Sequence, residues 1–146
     1  MTEIIKMNEA HVFEVAQLEK ACFAIPWSFE SLYQVLHNPL SVLYVAIIDN
    51  NVVGYISMQH IIDEGYIANL AVSPEYRRKG VARALLLKLV EYAVKKHLSF
   101  LTLEVRKSNS AAIHLYNNLD FVTEGERKGF YDHPKEDAYI MTKRFQ

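Results

Sequence analysis

Leu70-Ala-Val-Ser-Pro-Glu-Tyr-Arg-Arg-Lys-Gly-Val-Ala-Arg83 is the stretch on which the fold turns. Its first residues close an apolar run that begins near Glu64, and such a run, stopped by Pro74, reads as a strand. Arg77, Arg78 and Lys79 make a short basic loop, and from Gly80 the period of the chain becomes helical. Ala82, Leu85, Leu86, Leu89, Val90, Ala93 and Val94 recur on one face as far as about His97, with Arg83, Lys88, Glu91 and Lys95 opposite. A helix N-terminus offers N–H groups without intrahelical partners and the positive end of the peptide dipoles, and together these bind phosphate. Gly80 lets the backbone approach an anion closely, Ala82 is too small to obstruct it, and Arg77, Arg78, Lys79 and Arg83 add positive charge. Neither a Walker loop nor the Gly-x-Gly-x-x-Gly dinucleotide fingerprint is present. On the charge pattern alone, a solvated basic turn capping a helix accounts for the stretch equally well.

Before this stretch, Thr2–Met7 is expected as a strand, and Asn8 as the cap of a helix running to about Cys22. Ser28 is expected to cap a second helix that ends before Asn38-Pro39. Val42–Ile48 and Val52–His60 flank the turn Asp49-Asn-Asn51 as a hairpin, and Glu64–Val72 adds a third strand. After it, Phe100–Val105 alternates as a strand and Ser108-Asn109 opens a helix carrying Ala112, Ile113, Leu115, Tyr116 and Leu119. Phe121–Glu126 and Ala138–Lys143 close the chain as strands. Strands interleaved with amphipathic helices predict an α/β layer fold with a mixed sheet, in one domain over residues 1–146.

Composition narrows the function classes. A 51% hydrophobic and 23% charged chain of 146 residues has enough apolar surface for a core and excludes disorder. Sixteen Lys and Arg against seventeen Asp and Glu give a net charge of −1, which argues against a general nucleic-acid binder. The single cysteine, Cys22, excludes an intrachain disulfide framework and a multi-cysteine metal site, and beside Val15 and Leu18 it reads as a small buried hydrophobe. Six histidines show no ligand spacing, so no metal is expected. No apolar run reaches membrane-spanning length and the first residues do not read as a signal peptide, so a soluble, cytoplasmic protein is expected. Nothing in the composition specifies an oligomer.

The spacing Arg77-x-x-Gly80-x-Ala82 after an apolar strand resembles the Arg/Gln-x-x-Gly-x-Gly/Ala motif of the GCN5-related N-acetyltransferases. The resemblance extends over nearly the whole chain. Ile25-Pro-Trp-Ser28, Asn69-Leu-Ala-Val72, the segment Leu103-Glu-Val-Arg-Lys-Ser-Asn-Ser-Ala-Ala-Ile-His-Leu-Tyr116, and Gly129-Phe-Tyr131 through Glu136-Asp-Ala138 resemble, in order, the RimI subgroup. That subgroup acetylates the N-terminal alanine of a ribosomal protein. The resemblance implies a mostly antiparallel mixed sheet flanked by helices, with a splayed central strand pair. It implies acetyl-coenzyme A as cosubstrate, its pyrophosphate held by backbone amides from Arg77, Arg78, Lys79, Gly80, Val81, Ala82 and Arg83. Leu70, Ala71 and Val72 would meet the pantetheine arm through their backbone, and Asn109 would reach the cofactor with its side chain or cap its helix. Two departures stand out: Ala82 replaces the commoner second glycine, and Asp120 stands where Leu-Gly-Phe is usual. Aspartate enters the left-handed region readily, so that turn is expected to survive.

Acetyl transfer to an amine needs a base for the ammonium proton and an acid for the leaving thiolate. Leu101, Leu103 and Val105 alternate to one side of their strand and leave Thr102, Glu104 and Arg106 on the other. Partial desolvation there would raise the Glu104 pKa toward a useful range, while a solvated Glu104–Arg106 pair is the plainer reading. The resemblance favours Glu104 as proton acceptor and Tyr116 as proton donor, over Tyr116 as one more half-buried aromatic. Trp27 and Tyr131 are candidate walls of a peptide groove, with core packing as the alternative. Asp63, Glu64, Glu136 and Asp137 are candidates to attract a basic peptide or are simply solvated. Direct attack in a ternary complex on a protein N-terminus is the expected reaction. A small-amine or lysine acetyltransferase and a catalytically silent acyl-coenzyme A module are the rivals.

Overall fold

A computed structural model of the chain describes residues 1–145. In chain order the strands are β1 (Glu3–Lys6), β2 (Ser41–Ile48), β3 (Asn51–Ile61), β4 (Glu64–Val72), β5 (Phe100–Arg106), β6 (Val122–Asp132) and β7 (Lys135–Arg144). The helices are α1 (Val12–Cys22), α2 (Phe29–His37), α3 (Val81–Lys95) and α4 (Ser110–Asn118). The strands form one sheet in the order β1-β2-β3-β4-β5-β7-β6, antiparallel everywhere except between β4 and β5. The expected mixed α/β architecture with a mostly antiparallel sheet is the one observed.

Period-two alternation sorts the sheet's side chains into two cores. Leu43, Val45, Tyr55 and Ala71 pack against Val12, Val15, Leu18 and Leu32 of α1 and α2. Tyr44, Ala46, Ile56, Met58 and Val72 face the other way, toward Val81, Leu85, Leu86 and Leu89 of α3 and Tyr116 of α4. Gly54 sets how closely α3 can approach. A Cβ there would lie 3.0 Å from the Ala71 carbonyl oxygen and 3.1 Å from Val81 Cγ1, so a side chain at this position would press the first turn of α3 outward by a few tenths of an ångström.

Two boundaries differ from the sequence reading. Asn8 caps a short 3₁₀ turn, Glu9–His11, before α1 begins. The Ala10 N–H donates to Asn8 Oδ1 at 2.9 Å and the Asn8 N–H donates to His11 Nδ1 at 3.0 Å, a reciprocal pair that keeps the first turn tight. The β6–β7 hairpin is also longer than expected. Charges at Glu126, Arg127 and Lys128 hide its alternation, and register shifts at Thr123/Gly125 and Arg127/Tyr131 interrupt it further.

The feature that makes a site is the β4–β5 pair. Its parallel register covers only Glu64↔Phe100, Gly65↔Leu101 and Tyr66↔Thr102. Past Tyr66 the strands separate, and on β4 the register with β3 jumps from Ile67 to Asn69, leaving Ala68 as a bulge. Bulges re-aim a strand, and here one sits where the sheet opens.

Candidate active site

The first half of the site is the loop and helix that follow β4. Gly80 lies in the left-handed region (φ 80°, ψ 11°) and caps α3 with no side-chain hydrogen bond, whereas Ser28 Oγ and Asn109 Oδ1 cap α2 and α4. The Ala84 N–H donates to the Gly80 carbonyl at 3.0 Å, so the amides of Val81, Ala82 and Arg83 precede the first intrahelical bond and point out of the helix end. No atom lies within 4 Å of where a Gly80 Cβ would sit, leaving open space above these amides. Such an end, open and with unpaired amides, is suited to an anion. Arg78, Lys79 and Arg83 are exposed around its mouth. Arg77 acts differently: its Nε donates to the Val72 carbonyl at 3.1 Å and its Nη2 to Cys22 Sγ at 3.5 Å, tying the loop to the end of β4 and to α1. Cys22 is only half-buried, and its thiol donates to the same Val72 oxygen at 3.4 Å. Gly80→Val should weaken acetyl-coenzyme A binding about tenfold or more, because it fills the cradle and strains a left-handed residue by roughly 1–2 kcal/mol. Calorimetry on the folded variant checks this.

The second half is a cleft of about 450 Å³ at the splay. Its lining brings together Trp27, Leu70, Glu104, Asn109, Tyr116 and Tyr131 from four separate segments of the chain. Ala71 and Val72 are buried beyond Leu70, so only their main chain can serve a ligand. Trp27 and Glu104 also border a second hollow of about 370 Å³ on the α2 side, and Ile67 and Ala68 line both.

Within the cleft, Tyr116 is only 7% exposed, with its ring against Phe121. Burial, and to a lesser degree the neighbouring Tyr131, pushes its phenol well above the ordinary tyrosine value. The group therefore stays protonated at any physiological pH. Its hydroxyl makes no hydrogen bond among the described residues. Glu104 does not pair with Arg106. Its Oε2 accepts from Arg127 Nε of β6 at 3.1 Å. Arg106 is drawn away to Glu136 (3.3 Å) and to the carbonyls of Pro134 (2.8 Å) and His133 (3.2 Å). Its guanidinium lies 4.3 Å from the centre of the Tyr131 ring, so Arg106 fixes the hairpin end and stands Tyr131 as a cleft wall.

Asn109 Oδ1 accepts from the Ala112 N–H at 3.2 Å, so the capping role is real, and the residue also lines the cleft. Asp120 takes φ 68°, the left-handed turn expected of it. The acidic residues weighed as attractors of a basic peptide are engaged by the fold. Asp63 accepts from Ser99 and Glu64 from Tyr66. Glu136 accepts from the Ser108 side chain and amide, which hold its carboxyl below the usual range. Asp137 accepts from the Gly129 N–H at 2.7 Å, with the same effect on its pKa.

Sequence reasoning missed Glu19. It is 1% exposed on α1 and also borders the cleft. Its Oε1 accepts from the Trp27 N–H at 2.9 Å, and its Oε2 accepts from Asn69 Nδ2 at 2.8 Å and from the Tyr55 hydroxyl. The signal was its place in the repeat, since Glu19 follows Val12, Val15 and Ala16 at positions a buried helix face fills with apolar residues.

Among the described residues no cluster of three His, Cys, Asp or Glu could hold a metal, and no helix is long and apolar enough to cross a membrane. The profile of the acetyltransferase (GNAT) family matches residues 12–121. A Bacillus subtilis protein, provisionally named ribosomal protein bS18-alanine N-acetyltransferase, is 36% identical over 132 residues, covering 90% of this chain and 85% of its own. The Escherichia coli K12 protein of that activity is 34% identical over 143 residues, covering 97% and 96%. The crystal structure of the Escherichia coli ribosomal-protein-S18-alanine N-acetyltransferase superposes with a TM-score of 0.92 at 30% identity, covering 99% of this chain and 94% of that one. A basic loop leading into a helix with no side-chain cap, a splayed strand pair and a family match across most of the chain converge on one conclusion: the chain belongs to the acetyltransferase (GNAT) family.

Proposed function

We propose that this chain is a single N-acetyltransferase domain that transfers the acetyl group of acetyl-coenzyme A to the α-amine of a protein N-terminus, and that its substrate is the N-terminal alanine of a small-subunit ribosomal protein in the cytoplasm. The observation that carries this reading is the end of β4–β5 pairing at Tyr66 and Thr102, which leaves Glu104 and Tyr116 facing one opening between two aromatic walls. The main chain of Leu70, Ala71 and Val72 borders the pantetheine arm, and the amides of Gly80, Val81, Ala82 and Arg83 hold the pyrophosphate with Arg78 and Lys79 beside them. Arg77 braces that loop from behind. Glu104 takes the proton of the ammonium, directly or through water, freeing the nitrogen to attack. As the C–N bond forms and the C–S bond breaks, Tyr116 gives its proton to the sulfur, and the second proton lost by the nitrogen restores the phenol through solvent. Trp27 and Tyr131 flank the acceptor chain.

An α-ammonium has a reference pKa of about 7.7–8.0 against about 10.4 for lysine, so a single carboxylate suffices for the first and struggles with the second. A hexapeptide beginning Ala-Arg should therefore be acetylated on its α-amine. The same peptide with a blocked N-terminus and an added lysine should react far more slowly. Mass spectrometry of the products distinguishes them, and equal rates would favour a lysine or small-amine acceptor.

A further inference from the structure

We propose that Glu19 is a positioning residue for the acceptor: its buried carboxylate fixes the loop carrying Trp27 against the β4 bulge and so sets where the amine enters. The inference rests on the proposed function only in taking the cleft beside Trp27 as the acceptor side.

Three donors from three elements converge on this side chain. The Trp27 N–H comes from the α1–α2 loop, the Tyr55 hydroxyl from β3, and Asn69 Nδ2 from β4 next to the bulged Ala68. Asn69 Nδ2 also donates to the Tyr55 oxygen at 3.0 Å, and the Asn69 N–H donates to Ser57 Oγ at 3.2 Å, so the network continues into the sheet. An ionised carboxylate only accepts, and of the side chains that fit this space it alone satisfies three donors at once. No ion pair to Glu19 occurs among the described residues, so neutral donors carry the whole cost of burying its charge. Burial and the Glu19 charge hold the Tyr55 phenol far above its ordinary pKa, keeping it a donor. A leucine at this stripe position would pack without that cost. What the carboxylate adds is a link between the Trp27 loop and the β3–β4 rim of the opening. The loop it holds is otherwise open, with Phe23, Ala24 and Ile25 exposed, and Ile25 is 69% exposed. Without the Trp27 N–H bond, the half-buried Trp27 side chain is the loop's remaining anchor to the core beneath α1.

Trp27 is the sole tryptophan among nine tyrosines, so fluorescence excited at wavelengths that tyrosine does not absorb reports this loop alone. Glu19→Gln keeps the size but turns an NH₂ toward one of the donors. The expected result is a red-shifted, more readily quenched Trp27 emission and a peptide KM raised about tenfold or more, with kcat changed less and acetyl-coenzyme A affinity within about twofold. Asn69→Ala, which removes one donor and spares α1, should move emission and peptide KM in the same direction by less. The proposal is overturned if a folded Gln variant keeps the parent's emission and KM, or if peptide KM and acetyl-coenzyme A affinity worsen by the same factor. Should the Gln variant not fold, parental emission and KM in Asn69→Ala overturn it instead. The parent enzyme's activity on the peptide tests the proposed function separately, and the emission reads Glu19 whichever amine the cleft takes.

Discussion

Tyr116→Phe should lower kcat by roughly 10²–10⁴ while leaving acetyl-coenzyme A affinity close to that of the parent enzyme. The substitution removes one oxygen and keeps the ring, which packs against Phe121 with a centroid separation of 5.8 Å. The hydroxyl has no protein partner among the described residues, so its loss leaves no buried donor or acceptor stranded and the fold should not weaken. The effect should therefore fall on chemistry. A leaving thiolate expelled without a proton is the costly step, and a phenol held protonated by burial is suited to supply that proton. Because burial raises the pKa, the acid stays loaded through the whole neutral range, and the loss in the Phe variant should be nearly constant with pH. Single-turnover kinetics at saturating peptide check this, and parental turnover would remove Tyr116 from the mechanism.

The parts of this site that lie close together in sequence were legible, and the parts assembled by long-range pairing were not. Leu70 to Arg83 carries strand, loop and helix start in fourteen consecutive residues, and its reading as an anion cradle needs only local geometry. The alternation around Glu104 likewise placed its side chain on the correct side of β5. Its partner was not legible, because Arg127 lies 23 residues away across a strand order that places β7 between β5 and β6. The short reach of β4–β5 pairing came from family resemblance, since nothing in either strand's pattern says where two parallel strands part. The roles of Glu136 and Asp137 failed for a related reason. A carboxylate on a charged hairpin reads as solvated until the donors it meets, Ser108 and Gly129, are known. Glu19 was not legible for another reason: a glutamate on an amphipathic helix ordinarily lies on the wet face. Its spacing from Val12, Val15 and Ala16 placed it on the dry one.

Glu104→Gln tests the other proton transfer, and its signature is a dependence on pH that Tyr116→Phe should lack. Gln keeps the shape of the side chain and still offers an oxygen to Arg127, so the β5–β6 contact, an exposed pair worth about 0–1 kcal/mol, changes little. What disappears is a group that can accept a proton. Below the acceptor's pKa of about 7.7–8.0 nearly every bound amine arrives as the ammonium and must lose a proton before it can attack. The variant should then be slower by roughly 10²–10⁴, the range of a positioned general base. As the pH rises through that pKa, a growing fraction of the amine is already neutral and the base has less to do. The deficit should shrink steadily, and above about pH 9 the two enzymes should differ least. Moving the acceptor's own pKa moves the crossover. A peptide whose α-amine titrates lower should show convergence at correspondingly lower pH, which a fixed effect on binding or stability cannot reproduce. Profiles of kcat/KM for both enzymes on two such peptides measure this. A deficit that stays constant across pH, or one that grows as the amine deprotonates, would mean that Glu104 serves as something other than the base.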